Sequence, residues 1–428
     1  MCPALDIKDS EKTSRKLRLL FITDNFPPEI NAPATRTYEH CLEWTKLGAD
    51  VTVITCNPNF PQGKIYSGYS NSLLRKEITN GIKVIRVWSY IAANKGFLKR
   101  VLDYASFSIT SFIAGLCLST DIIIATSPQF FTTFSAFGLS KIKRKPWVFE
   151  LRDLWPESIK AVGAMSRNNP INLLEKIELF MYRNSDIIIA LTDAFKRNLV
   201  SRGIDPDKIR VIPNGSNLEL FYPRKKNQEI SARLGLDGKF VIGYIGTHGM
   251  AHGLEFIVNS ISKISDPTIH FIFIGDGARK NEVIRLASRK HLRNITFLEP
   301  VPKNDVPDYL STIDVSLVPL IKSETFKTVL PSKIFESAAM AIPILLGVEG
   351  QARELIEKYN AGISFKPENE DDFIDKIGVL KKNKMLYKEL QNGCSMLSKE
   401  YNRKPLAMKM FHELNDVVSL RLGRNGCR

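Results

Sequence analysis

Pro331-Ser332-Lys333-Ile334-Phe335-Glu336 brings a lysine and a carboxylate to the start of a helix of small residues. The first N–H groups of a helix lack partners, and its dipole end is positive, so such a start attracts phosphate. Ser332 is the expected N-cap, and Glu336, one turn on, faces the same mouth. A phosphate near Ser332 and Lys333 and a ribose near Glu336 would together describe a nucleoside diphosphate.

Four other stretches carry residue types suited to a site, each just after an apolar run. Asp24-Asn25-Phe26-Pro27-Pro28 leads to Asn31-Ala32-Pro33-Ala34-Thr35-Arg36. The small residues around Ala32 permit close approach of a ligand, and Arg36 suits a phosphate; the alternative is a capped helix after a plain loop. Arg152-Asp153-Leu154-Trp155-Pro156-Glu157 reads either as a site, with Asp153 orienting an attacking hydroxyl, or as a structural ion pair. Gly243 to Gly253 holds four glycines with Thr247, His248 and His252, a strand–turn–helix arrangement that can cradle phosphate. It lacks both the dinucleotide spacing and a Walker lysine. His248 and His252 are four apart, but the glycines argue against a continuous helix, so no metal is expected, and His248 is open between a sugar or phosphate contact and a turn. Gly275-Asp276-Gly277 either borders a base or turns the chain.

The elements that would position these loops are legible as alternation. Strand-length runs at Leu17–Thr23, Val51–Cys56, Ile82–Trp88, Ile122–Thr126, Trp147–Leu151, Ile187–Thr192 and Lys208–Ile212 are separated by amphipathic segments. Near-continuous Ile, Val and Leu runs mark parallel strands buried on both faces. The pattern pauses at Pro213-Asn214-Gly215 and restarts with Phe240–Ile245, His270–Ile274, Ile295–Leu298, Val315–Pro319 and Ile344–Leu346. Helices are expected at Leu254–Ile264, Ala278–Lys290 and Ser332–Met340. The fold class is α/β: two facing doubly wound parallel-sheet domains, 15–220 and 221–404, with a final helix at 405–421 packing back on the first. Ligands of such sheets sit at the carboxyl ends of the strands, which places the site between the halves.

A chain of 428 residues is long enough for two domains, and 44% apolar content with 25% charged is that of a globular protein. The six cysteines show no CxxC spacing, which argues against a disulfide framework or zinc site and suits a reducing cytoplasm. The polar, charged start to about residue 14 reads as disordered and not as a secretory signal. The most apolar run, Phe107 to Leu118, is too short to span a bilayer. The net charge of +15 resides in no basic tail or recognition motif, so no nucleic-acid partner is expected. Its densest stretch holds Arg75, Lys76, Lys83, Arg86, Lys95, Lys99 and Arg100 against Glu77, with Trp88, Tyr90 and Phe97 interleaved. Such a stretch suits an anionic membrane surface or an ordinary solvated face.

Together, "NFPPEINAPATRTYEH", "PNFPQGKIYSGY", "WSYIAANKGFLKR", "ELRDLWPESIKAVGAM", "GYIGTHGMAHGLEF" and "PSKIFE" resemble the family 4 retaining glycosyltransferases of the GT-B architecture. The resemblance runs from about Leu17 to Leu420 and is strongest to an O-antigen and capsule subfamily that includes enzymes named as L-fucosaminyltransferases. It implies transfer of a sugar, such as N-acetyl-L-fucosamine or a related hexosamine, from a UDP-linked donor. The implied acceptor is an undecaprenyl-diphosphate-linked saccharide on the inner face of the plasma membrane. The implied enzyme is cytoplasmic and peripheral, with no cofactor or metal. Glu336 matches the second glutamate of the family's EX7E signature, which contacts the ribose, while Thr328 stands at the first. Thr247 and His252 correspond to the family's usual Arg and Lys, so Lys333 and the amides near Ser332 are expected to compensate. The expected donor set is Asn214, Gly246, Thr247, Gly275, Asp276, Ser332, Lys333 and Glu336; Asp153, Lys333 and His248 are the candidate catalytic residues, and Ala32, Arg36 and Arg152 form the acceptor and phosphate loop. The rival readings are a nucleotide-sugar epimerase of related fold and a non-catalytic sugar-nucleotide-binding assembly protein.

Overall fold

The computed structural model describes residues 16–60, 62–91, 97–127, 130–154 and 168–426. Within them the chain folds into two sheets, parallel except for one edge pair of the first, each flanked by helices. The first contains β1 (Arg18–Ile22), β2 (Asp50–Cys56), β3 (Leu74–Thr79), β4 (Ile82–Val87), β5 (Ile122–Thr126), β6 (Trp147–Leu151), β7 (Ile187–Ala190) and β8 (Ile209–Val211), in spatial order β3-β4-β2-β1-β5-β6-β7-β8. The second contains β9 (Phe240–Ile245), β10 (Ile269–Ile274), β11 (Ile295–Leu298), β12 (Val315–Pro319), β13 (Ile344–Gly347) and β14 (Gly362–Ser364), in order β11-β10-β9-β12-β13-β14. Strand order reverses beside β1 in one sheet and beside β9 in the other, and at such a reversal the flanking helices diverge and leave a crevice.

The central strands are apolar because both their faces are covered. Every residue of β5, β6, β7 and β12 is buried. Helix Ala32–Lys46 starts where Asn31 caps it, its Oδ1 accepting from the Ala34 amide at 2.9 Å. Helix Asp193–Ser201 is capped by Thr192, whose hydroxyl accepts from the Phe195 amide at 3.0 Å.

Two strands lie outside the sequence expectation. β14 is only three residues long, and β3 pairs antiparallel with β4 through the turn Asn80-Gly81, both at positive φ (50° and 84°). The basic stretch is therefore largely sheet edge. Arg86 is buried, pairs with Glu77 at 2.8 Å and donates to the Cys56 and Pro27 carbonyls, and Lys83 pairs with Asp50 at 2.7 Å. This removes Arg86 and Lys83 from a continuous docking face. Lys95 lies outside the described residues, as do residues 1–15, Trp155, Pro156 and Glu157.

The last helix, Arg403–Gly426, returns to the first half. Its Met410 and Leu414 are fully buried in a core cluster with Leu19, Trp44 and Val53. Trp44 Nε1 donates to the Ala407 carbonyl at 2.9 Å. Complete burial of side chains of this size contributes about 1.5–3 kcal/mol each. Other contacts bring the halves face to face: Thr192 Oγ1 donates to the Thr328 carbonyl at 3.1 Å, the Ala194 amide to Gln351 Oε1 at 3.1 Å, and Gln62 Nε2 to Asp276 Oδ2 at 3.5 Å.

Candidate functional site

The crevice wall on the second half is built from the loops after β9 and β10 and from helix Lys333–Ala339. The two loops interlock: the Gly246 amide donates to the Ile274 carbonyl and the His248 amide to the Asp276 carbonyl, each at 2.9 Å. Only glycine fits where they cross. Gly275 has φ 140°, and a Cβ there would lie 1.9 Å from the Gly246 carbonyl oxygen. Gly246 has φ 145°, and a Cβ there would sit 3.1 Å from Lys333 Nζ. The backbone thus leaves room above the strand end for the lysine head.

Lys333 is the most unusual group of this wall. Its Nζ is buried, lies 3.7 Å from the centroid of the Tyr244 ring, and makes no hydrogen bond. A cation over an aromatic face is attracted by the ring quadrupole, but that does not replace a lost hydration shell. Burial accordingly pushes its pKa down from 10.5 to about 7, with Glu336 pulling the other way. The Tyr244 hydroxyl donates to the Thr247 carbonyl, and the rings of His248 and His252 lie 5.5 Å and 5.9 Å from Tyr244. Both ring nitrogens of His248 and Nδ1 of His252 are buried without partners. Burial and the nearby ammonium groups of Lys280 and Lys333 lower the His248 pKa to about 4, and burial with Lys333 lowers that of His252 to about 3. Both imidazoles are neutral at physiological pH. Thr247 is exposed at the lip.

One expectation about the helix start is corrected. Ser332 occupies the N-cap position, but its side chain makes no capping bond, and the helix is only 7 residues long. The positive charge available to an anion is therefore chiefly the Lys333 ammonium. Glu336 is held, its Oε1 ion-paired with Lys303 Nζ. Thr328, at the position of the signature's first glutamate, turns its hydroxyl to the Thr325 carbonyl at 2.7 Å, while its own carbonyl meets Thr192 of the first half. Asp276 Oδ1 accepts from the Gly277 amide at 2.7 Å.

On the first half, Arg36 is not available to a phosphate. Its guanidinium is 1% exposed, pairs with Glu150 at 2.9 Å, and donates to the carbonyls of Ile212 and Pro213 and to Asn214 Oδ1. The donors offered to a ligand are spent on the linker between the halves, where Asn214 Oδ1 accepts one of them. Arg403 extends this clamp by pairing with Glu39 and donating to the Gly215 carbonyl. Ala32 is exposed at the start of its helix. Arg152 Nη1 donates to the Pro33 carbonyl at 3.2 Å, but its Nε is unpartnered. Asp153 lies half-buried at the bend after β6. The structure thus groups Gly246, Thr247, His248, Gly275, Asp276, Ser332, Lys333 and Glu336 on one wall, and sets Arg152 and Asp153 at a strand end of the other sheet.

Sequence reading missed two participants. Tyr244 floors Lys333 from within a strand that reads as plain core, and Lys303 reaches Glu336 from 33 residues away. Asp24 and Glu29, after β1, are buried carboxyls. Burial and the charge of Glu29 raise the Asp24 pKa to about 7, and burial raises that of Glu29 to about 7 although the Asn59 and Phe60 amides donate to it. Only the loop context after β1 pointed toward them.

Such a wall can bind an anion with Lys333 and a polyol with Glu336, and water excluded from around the lysine strengthens the first interaction. Comparisons with known proteins bear on the family and the fold. A model described as Glycosyltransferase Family 4 matches residues 33–220, and one described as Glycosyl transferases group 1 matches residues 239–383. The glycosyl transferase of Escherichia coli named for colanic acid biosynthesis, WcaI, is 25% identical over 328 residues, spanning 74% of this chain and 80% of its own. Sucrose-phosphate synthase from Thermosynechococcus elongatus superposes with a TM-score of 0.77 at 15% identity, covering 95% of this chain and all of that one (100%). Anabaena HepE, solved with UDP and glucose, gives 0.70 at 16%, covering 93% and 99%. These two structures share the GT-B fold with this chain. With one family model on each half, the chain belongs to glycosyltransferase family 4, the retaining, nucleotide-sugar-dependent transferases.

Proposed function

We propose that the protein moves an amino sugar from a UDP-linked donor to an undecaprenyl-diphosphate-linked saccharide during bacterial O-antigen, capsule or exopolysaccharide synthesis, with retention at the transferred carbon. The observation that carries this reading is the buried, unpaired Lys333 ammonium one helical turn from Glu336. In this reading the diphosphate neutralises Lys333, and the ribose hydroxyls meet Glu336. Lys333 then stabilises the charge that builds on the leaving diphosphate. The neutral His248 and the Gly246–Thr247 and Gly275–Asp276 turns border the diphosphate and sugar. Asp153 and Arg152 line the acceptor side, with Asp153 orienting the attacking hydroxyl. The leaving diphosphate takes the acceptor proton at the same face, so no protein nucleophile is invoked. UDP in HepE and the polysaccharide role in the name of WcaI support the donor and the pathway class. N-acetyl-L-fucosamine is the first donor sugar to test, on the resemblance of the first-half segments.

A lipid-linked acceptor requires approach to a bilayer, and among the described residues no helix is long and apolar enough to cross one. Helix Phe97–Leu116 carries exposed Leu102, Ile109, Ile113 and Leu116 along one stripe, with Lys99 and Arg100 exposed at its start. Exposed Ile142 on the neighbouring helix Thr132–Lys143, and Lys143, which donates to the Leu116 carbonyl at 2.8 Å, continue this face. An apolar stripe with a basic rim supports peripheral docking on the anionic inner leaflet.

The test is incubation of the protein with membranes bearing undecaprenyl-linked acceptors and a panel of nucleotide sugars, with products identified by mass. Growth of the acceptor by one aminohexose from a UDP donor is expected. Interconversion of the free donor would point to an epimerase, and binding without turnover to an assembly protein.

A further inference from the structure

Lys333 and Glu336 stand three apart on one helix, the spacing at which a lysine and a glutamate ordinarily bond. They do not bond here. Lys333 has no hydrogen-bonding partner, and Glu336 Oε1 is taken instead by Lys303 Nζ, from the turn after β11. Both members of that pair are largely buried, with side chains 22% and 18% exposed. Lys303 is itself fixed: its Nζ lies 4.7 Å from the centroid of the Phe221 ring, which is 1% exposed and packs with Leu236, Val241 and Ile272. The other end of the same loop is pinned as well. Glu299 pairs with Lys280 at 2.8 Å, and Lys280 also donates to the Leu298 carbonyl at 3.3 Å. The loop is therefore tied at one end to the helix that begins at Lys280 and at the other to the helix that carries Glu336.

We infer that Lys303 is a positioning residue for the donor nucleotide: by anchoring Oε1 of Glu336 it presents Oε2 to a ribose hydroxyl and keeps the carboxylate away from Lys333. Among the described residues Oε2 of Glu336 makes no hydrogen bond within the chain, so one oxygen is held and the other is open. Anchoring removes the rotamer freedom that an unrestrained glutamate would lose on binding. It also preserves the charge of Lys333 for phosphate, because a freed Glu336 would swing to the i−3 lysine and neutralise it. The inference rests on the reading of Glu336 as the ribose contact and adds the residue that makes that contact selective.

The experiment is calorimetric titration of the full chain with UDP and GDP, each against its 2′-deoxy and 3′-deoxy forms. A hydroxyl bonded to a carboxylate is expected to give the wild type a preference on the order of ten-fold or more for the ribonucleotide. Glu336→Gln sets the floor for that ratio. Lys303→Met should bring it to within about three-fold of the floor, and Lys303→Arg should restore most of it. Lys303→Gln keeps a stem on Phe221 without the charge and should match Lys303→Met, so a poorly folding methionine variant does not decide the outcome. A wild-type ratio in either folded neutral variant, with the ratio lost in Glu336→Gln, would overturn the role of Lys303 alone. A wild-type ratio in Glu336→Gln, or no nucleotide binding by the wild type, would overturn the ribose reading and this inference with it.

Discussion

Binding of UDP should draw a proton into the site through Lys333. Burial sets the pKa of this ammonium to about 7 in the empty protein. About nine tenths of molecules then carry the charge at pH 6 and about one tenth at pH 8. If only the charged form holds the diphosphate, the apparent affinity falls about ten-fold over that interval, or about 1.4 kcal/mol. The terminal phosphate of UDP loses its last proton near pH 6, which strengthens binding as pH rises, so Lys333→Met is the needed reference. Coulomb's law gives about 4 kcal/mol for unit charges about 4 Å apart at an effective dielectric of about 20. Allowing for the cost of keeping the ammonium desolvated, Lys333→Met should weaken UDP on the order of a hundred-fold at pH 6. Titration calorimetry at pH 8 in buffers of contrasting ionisation enthalpy should report uptake of about 0.9 proton by the wild type and none by the variant. The same shift makes wild-type stability rise as pH increases from about 7 towards 10.5, because there the unfolded chain binds more protons than the native one. Wild-type binding without proton uptake at pH 8, together with unchanged affinity in Lys333→Met, would refute the assignment.

Asp24 and Glu29 carry the opposite linkage. Their folded pKa values of about 7 exceed the ordinary 3.8 and 4.5, so their contribution is full below about pH 4 and is lost as pH rises to about 7. Asp24→Asn with Glu29→Gln should flatten the fall of Tm across that window, as followed by circular dichroism. Arg36→Met removes the ion-pair partner of the buried Glu150 and leaves the linker carbonyls without their donor, so it should cost about 3–5 kcal/mol in urea unfolding, while the double change with Glu150→Leu should cost less. Lys99→Glu, Arg100→Glu and Ile113→Asp together should release the protein from anionic liposomes in a sedimentation assay and leave UDP affinity unchanged; sedimentation equal to wild type would move the docking face elsewhere.

The sequence alone determined the alternation of buried strands and helices, the two halves and the loops after β1, β6, β9 and β10. These depend on short-range rules: a parallel strand covered on both faces must be apolar throughout, and a backbone crossing like that at Gly246 and Gly275 must be glycine. The Asn80-Gly81 turn was equally legible, but basic residues around it drew the reading towards charge. Only the tertiary structure decided which charges are already spent. Arg36 and Lys333 look alike in sequence as cations beside a phosphate loop. Strand order brings Glu150 and the linker carbonyls to Arg36, and Tyr244 to Lys333, so one cation is satisfied and the other left open. Lys303 reaches Glu336 across 33 residues for the same reason. The worth of a charge depends on desolvation and on partners within a few ångströms, and long-range packing alone sets both.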